Sequence, residues 1–189
     1  MSFRLNRRPA KLTYVTLELE IGKIGKIPEI KMPHNVKVRR YNPQNDLGLL
    51  AKLHNETMKE FRDFSPLTED FLKKVPPNYT FIAEIDENPV GMGMCTVTDT
   101  KKGRLGYIAE FGVIKKYREK GVGLALLKTI FTCFKENKVE KITCEVIDEN
   151  KLALLILKDK LGFKEIERTT IILPRVPPPP RGNHHEFLK

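Results

Sequence analysis

The feature that most constrains this chain is a glycine-containing turn between an apolar strand and an amphipathic helix. The turn carries the pattern Arg118-x-x-Gly121-x-Gly123 at the point where the chain becomes helical. Glycines let the backbone bend tightly and come close to a ligand. The free N–H groups and the positive dipole end of a helix attract anions, and Arg118 and Lys120 add positive charge. The turn therefore predicts a pyrophosphate-binding loop, although glycines at this spacing also fit an ordinary strand-to-helix turn.

A second segment follows downstream and makes the pattern specific. It contains Asn150-Lys-Leu-Ala153 and then Lys160-Leu-Gly162-Phe163. With the glycine turn, the strand at 107–113 before it and this segment after it, the chain resembles the GCN5-related N-acetyltransferase (GNAT) superfamily over residues 36–173. The resemblance implies that acetyl-CoA is the co-substrate and that no metal is needed.

The resemblance also implies where the cofactor binds. In this superfamily the central strands splay apart, the pantetheine arm lies beside the exposed strand as an extra pseudo-strand, and the pyrophosphate rests on the glycine loop. An exposed strand edge pairs readily with the amides of such an arm. The cofactor-binding residues predicted in this way are Phe111, Gly112, Val113, Arg118, Glu119, Lys120, Gly121, Val122, Gly123, Leu124 and Asn150.

The implied reaction is acyl transfer from a thioester to a primary amine, which must be neutral to attack. A lysine amine has a pKa of about 10.4 and an N-terminal amine one of about 7.7–8.0, so both benefit from a general base. Glu110, on the cofactor strand, is the predicted base, because relatives often carry a carboxylate at or beside this position. The alternative is that Glu110 is a surface carboxylate paired with a lysine. The acceptor stays open between a protein lysine, a protein N-terminus and a small amine.

One departure from the superfamily concerns the general acid. Many relatives carry a tyrosine four residues before the glycine of Leu-Gly-Phe, but this chain has Lys158 or Leu157 there, because its segment is one residue longer. No general acid is assigned, since a thiolate with a pKa of about 8.5 can leave unassisted. The departure favours an alternative function, a catalytically weak CoA-binding module that acts through partners.

The order of predicted strands and helices indicates a mixed α/β fold. The resemblance implies that its sheet is mostly antiparallel, twisted and flanked by helices. Residues 1–35 are predicted to be an N-terminal extension with an extra strand, 36–173 the acetyltransferase domain and 174–189 a proline-rich basic tail. The extra strand, residues 14–21, alternates cleanly and places Val15, Leu17, Leu19 and Ile21 on one face. We expect this strand to add to an edge of its own sheet; exchange within a homodimer is the alternative.

Composition narrows the class further. The net charge is +10, and residues 1–35 and 174–189 contribute +4 and +2 of it. Coenzyme A is itself a polyanion, and tryptophan is absent, so nucleic-acid binding remains a minor hypothesis. Three widely spaced cysteines indicate a reducing compartment, the cytoplasm, and no metal-ligand spacing is present. No apolar run is long enough to cross a membrane.

Overall fold

The computed structural model describes residues 11–21, 35–61 and 64–172. The predicted proline-rich tail and the segment between the first two strands lie outside these ranges. The strands are β1 (Lys11–Glu20), β2 (Val36–Arg40), β3 (Thr80–Ile85), β4 (Asn88–Thr100), β5 (Gly103–Val113), β6 (Lys141–Ile147) and β7 (Lys164–Ile172). The helices are α1 (Leu47–Met58), α2 (Glu69–Leu72), α3 (Val122–Glu136) and α4 (Lys151–Leu155).

Within the described residues, seven strands form one sheet in the order β2-β3-β4-β5-β6-β1-β7. Neighbouring strands are antiparallel, except that β5 and β6 run parallel. One face packs on α3 and α4 in the larger hydrophobic core, and the other face packs on α1 and α2 in a smaller one. The predicted mixed, mostly antiparallel sheet flanked by helices is confirmed.

The N-terminal strand has the predicted buried face but not the predicted position. Val15 and Leu17 are 0% exposed and Leu19 is 6% exposed. However, β1 does not lie at an edge of the sheet: it lies between β6 and β7 and is antiparallel to both. The connection from β6 through α4 to β7 leaves a gap one strand wide, and β1 fills it. The next strand in the chain, β2, is at the opposite end of the sheet.

Helix α1 approaches the sheet very closely at Gly112 on β5. A Cβ atom at this position would lie 2.5 Å from the Cβ of Thr57 on α1. Thr57 is 1% exposed, and its hydroxyl donates to the carbonyl of Leu53 at 2.8 Å. A side chain at residue 112 would therefore push the helix outward, so the missing side chain sets the distance between α1 and β5.

Candidate functional site

The sheet splits between β5 and β6. In the described residues these two strands pair only from Leu105 to Ile108 on β5, and β5 continues to Val113 while paired with β4 alone. The register shifts just beyond Ile108, so that Ala109 has no opposite residue on β4. Such a bulge bends a strand and redirects its edge. The backbone of residues 109–113 thus offers its amides and carbonyls to a ligand on the β6 side, where the resemblance implies the pantetheine arm.

The two glycines of the predicted phosphate loop differ in whether the structure itself requires a glycine. Gly121 has a φ of 80° and precedes α3 as its N-cap without a capping side chain, so the left-handed backbone favours glycine there. Gly123 lies in the first turn of α3, and a Cβ atom there would meet the ring of Phe111 at 3.7 Å, an ordinary contact. Packing within the protein therefore does not require a glycine at residue 123, and a small residue there leaves room for a ligand in front of the helix.

Arg118 has protein partners of its own in the structure. Its Nε donates to the carbonyl oxygen of Val113 at 2.9 Å, and its guanidinium forms an ion pair with Glu60, just after α1. Arg118 thus connects the loop to the end of β5 and to the segment after α1. Two lysines of the loop, Lys116 and Lys120, place their ammonium groups 4.9 and 5.4 Å from the centre of the Tyr117 ring. The loop is therefore a basic surface, and its arginine, Arg118, is also held by contacts within the protein.

The remaining predicted cofactor residues surround this loop, with one exception. Phe111, Gly112 and Val113 form the end of β5, Glu119 has a φ of 63° within the loop, and Val122 and Leu124 begin α3. Asn150 lies beyond the end of β6, on the other side of the split. Its side chain accepts a hydrogen bond from the backbone N–H of Ala153 at 3.2 Å and so caps α4. A contact of Asn150 with the cofactor stays a prediction.

Glu110, the predicted base, faces α1 from the split part of β5. Its Oε2 lies 3.6 Å from Nε2 of His54, and the Glu110 side chain is 37% exposed while that of His54 is 4% exposed. The basic side chain found within 4 Å of the Glu110 carboxylate in the described part of the chain is therefore a buried histidine and not a lysine. Sequence reasoning missed His54, since a single histidine in a helix carries no motif.

Tyr107 was also missed as a candidate site residue. It pairs with Thr96 on β4 and Glu110 pairs with Met94, so the bulge at Ala109 places Tyr107 and Glu110 on the same face of the sheet. Burial raises the pKa of the Tyr107 phenol, and the nearby Glu145, Cys144 and Glu110 raise it further. The phenol therefore keeps its proton at neutral pH, so it can give a proton but cannot serve as a base. Strict strand alternation would have placed residues 107 and 110 on opposite faces.

The segment after α4 shows how the extra residue is accommodated. Residues Ile156–Lys160 form a π-helical turn, in which the N–H of Leu161 donates to the carbonyl of Ile156 at 3.0 Å. Leu157 is buried, and the Lys158 ammonium lies 2.9 Å from Glu165. Arg168 and Lys158 together hold the pKa of Glu165 at about 2. The two residues at the place of the usual tyrosine are thus a core residue and half of an ion pair.

Two features are absent from the described residues, a membrane-spanning helix and a cluster of metal ligands. No helix there is long and apolar enough to cross a bilayer. No three histidine, cysteine, aspartate or glutamate side chains gather there as metal ligands would.

Comparison with known sequences places this geometry in a family. The model of the acetyltransferase (GNAT) family matches residues 49–163. N-alpha-acetyltransferase 30 of Homo sapiens is 36% identical over 134 residues, which cover 70% of this chain and 36% of that protein. Its Xenopus laevis counterpart is 30% identical over 134 residues, 70% of this chain and 48% of that protein. N-alpha-acetyltransferase MAK3 of Arabidopsis thaliana is 29% identical over 133 residues, covering 70% and 68%. The chain thus spans about half or less of the two animal proteins.

Solved structures share the fold. Arabidopsis thaliana Naa50 in complex with a bisubstrate analogue superposes with a TM-score of 0.59 at 21% identity, over 70% of this chain and 85% of that one. A chain of the NatC complex bound to Gag peptide and CoA gives 0.58 at 20% identity, over 74% and 99%. Together with the family match and the split sheet beside the glycine loop, these comparisons show that the chain belongs to the GNAT acetyltransferase family.

Proposed function

We propose that this chain transfers the acetyl group of acetyl-CoA to the α-amino group of a peptide N-terminus. The observation that carries the proposal is the exposed edge of β5, residues 109–113, which ends at the glycine loop and the first turn of α3. The choice of a peptide N-terminus rests on the relatives, which are named as N-alpha-acetyltransferases.

Each part of the site has one task in this proposal. The edge of β5 pairs with the amides of the pantetheine arm, and a backbone N–H at Phe111 to Val113 polarises the thioester carbonyl. The free amides before Leu124 hold the pyrophosphate. The acceptor enters from the α1 side, where Glu110 takes its proton, directly or through one water. The amine nitrogen then bonds to the acetyl carbon as the carbon–sulfur bond breaks, and the thiolate leaves.

The acceptor class agrees with the strength of the base. A carboxylate is a weak base, and an α-amine, with a pKa of about 7.7–8.0, is already partly neutral near pH 7.5, whereas a lysine at about 10.4 is almost fully charged. A carboxylate base therefore fits the α-amine better than the lysine. Tyr107, which keeps its proton, can hydrogen-bond to the departing thiolate or to the acceptor but cannot act as the base in its resting state.

The test is release of free thiol from acetyl-CoA in the presence of three acceptors. These are a peptide with a free N-terminus and no lysine, the same peptide with a blocked N-terminus and one internal lysine, and a small polyamine. We expect turnover with the first and at least about tenfold lower kcat/KM with the other two. A preference for the lysine peptide or the polyamine would reject the proposed acceptor. CoA binding without turnover on any of them would favour the alternative of a binding module.

The phosphate loop is tested by Gly123→Asp, with Gly48→Asp as the matched control. Both glycines lie in the first turn of a helix, α3 and α1, and at neither site would a new Cβ atom clash. A carboxylate is favourable near a helix N-terminus, so neither variant should lose stability. At residue 123 the carboxylate would repel the pyrophosphate, so we expect Gly123→Asp alone to weaken CoA binding at least about tenfold, or about 1.4 kcal/mol, by calorimetry. Equal affinities of the two variants would reject the loop as the pyrophosphate site.

We also propose that the reaction takes place in the cytoplasm. The three cysteines of the chain, Cys95, Cys133 and Cys144, are all unpaired and buried. The neighbouring Cys95 thiol lowers the pKa of Cys133, but no disulfide joins the two. Two adjacent thiols that remain reduced fit a reducing compartment.

A further inference from the structure

We propose that His54 is a positioning residue for Glu110: it is the fixed group that orients the Glu110 carboxylate toward the acceptor amine. The inference rests on the proposed function, because it assigns a role within that reaction. Its basis is the 3.6 Å distance between His54 Nε2 and Glu110 Oε2. This is longer than an ordinary hydrogen bond, but catalytic contacts in unliganded sites often tighten only when substrate is bound.

The two partners differ in how firmly they are held. The His54 side chain is 4% exposed, its ring stacks on Phe64 with centroids 6.1 Å apart, and Nδ1 lies 3.3 Å from the side-chain oxygen of Asn55. Glu110 is 37% exposed and has flexible side-chain torsions. An exposed carboxylate is costly to hold in one conformation. With Nε2 as the donor, Nδ1 accepts, which requires the Asn55 side-chain amide to turn its NH2 toward Nδ1. A buried and fixed donor next to Glu110 would then restrict the carboxylate at no further entropic cost to the histidine.

The close approach of α1 makes this contact possible. Thr57 lies one turn beyond His54 on α1 and meets β5 at Gly112, two residues beyond Glu110, where the absent side chain lets the helix come close. The same spacing brings the His54 ring to the carboxylate. Along α1, the residues buried beside His54 are Leu50, Leu53 and Thr57. An apolar side chain would satisfy packing at residue 54 equally well, so packing alone does not account for an imidazole there.

Three substitutions separate positioning from packing. Glutamine places its amide nitrogen close to the place of Nε2, asparagine places it close to that of Nδ1, and phenylalanine keeps a ring without a donor. If His54 orients Glu110 through Nε2, His54→Gln should keep kcat within about threefold of wild type, while His54→Asn and His54→Phe should lower it about tenfold. The KM for acetyl-CoA should change in none of them, because the contact lies on the acceptor side.

Two further measurements make the outcome decisive. In a Glu110→Gln background, His54→Phe should cause no further loss of kcat, since its target is already gone. In long-range nitrogen-15 spectra of the histidine rings, with His54 assigned by comparison with His54→Gln, Glu110→Gln should shift Nε2 of His54 more than Nδ1.

The possible failures are distinct. Suppose that the wild type turns over. Equal losses of kcat in the glutamine and asparagine variants, or equal shifts of the two ring nitrogens, would then overturn the role of His54 but not the proposed function, and His54 would be a packing residue. A wild-type protein without turnover on any amine would overturn the proposed function and this role with it. Thermal unfolding of each variant tests whether a loss of kcat is caused by misfolding. A His54→Asn variant that is folded and has a low kcat supports the positioning role.

Discussion

Glu110→Gln is expected to lower kcat about 100-fold and to leave the affinity for CoA within about twofold of wild type. Glutamine has the same shape as glutamate but cannot accept the proton of the acceptor amine. Without a base, kcat/KM should follow only the fraction of acceptor that is already neutral, so its pH profile should differ from that of the wild type. Steady-state thiol release between pH 6 and 9, with calorimetry for CoA, measures both effects.

Glu140→Gln is the matched control for this loss. Glu140 is exposed and lies against Gly103, at the opposite end of β5 from the split. The same chemical change there should leave kcat, KM and the pH profile as in the wild type. A fully active Glu110→Gln would place the base elsewhere or mean that the amine arrives neutral. Weaker CoA binding in Glu110→Gln would instead assign Glu110 to the cofactor.

The parts of this site that could be read from sequence are those built by one continuous segment. The loop from Arg118 to Gly123 and the helix after it need only local backbone geometry, and strand β5 needs only its own apolar pattern. The polar run Asp86-Glu87-Asn88 between two apolar stretches is another such local signal, and it indicates a short turn between strands. In the structure Asp86 and Glu87 have positive φ values, 49° and 64°.

The parts that could not be read depend on contacts between distant segments. His54 meets Glu110 only because Gly112 lets α1 approach β5, and no spacing within α1 signals this. Tyr107 shares a face with Glu110 only because of the bulge at Ala109, which breaks the strand alternation on which sequence patterns rely. Arg118 carries the expected charge, but its ion pair with Glu60 depends on where α1 ends.

The position of β1 was misjudged for a related reason. The alternation of Val15, Leu17 and Leu19 correctly predicts one buried face, but it holds no information about neighbours along the sheet. Pairing with β6 and β7 satisfies the hydrogen bonds of β1 on both of its edges, which an edge position would not do. Because β1 pairs on both sides, removing it should lower the stability of the fold more than removing an edge strand would.

Deletion of residues 1–34 is therefore expected to abolish cooperative folding. The deletion removes β1 from between β6 and β7, so both neighbours lose a strand ladder. The protein also loses the four buried apolar side chains of β1, Leu12, Val15, Leu17 and Leu19. Each such side chain contributes about 1.5–3 kcal/mol, and a domain of this size has only about 5–15 kcal/mol of total stability. Thermal unfolding followed by circular dichroism should show no sharp transition for the truncated chain.

A single substitution gives the graded version of the same test. Leu17→Ala should lower the free energy of unfolding by about 2–5 kcal/mol, the range for a buried leucine. Thr16→Ala, on the opposite face of β1, should change it by less than about 1 kcal/mol. A truncated chain that unfolds cooperatively at the wild-type temperature, or equal effects of the two substitutions, would contradict the central position of β1. The mass of the untruncated chain in solution then shows whether β1 pairs within its own chain or with a second copy. A monomer means pairing within the chain. A dimer that Leu17→Ala dissociates means that β1 is exchanged between two copies.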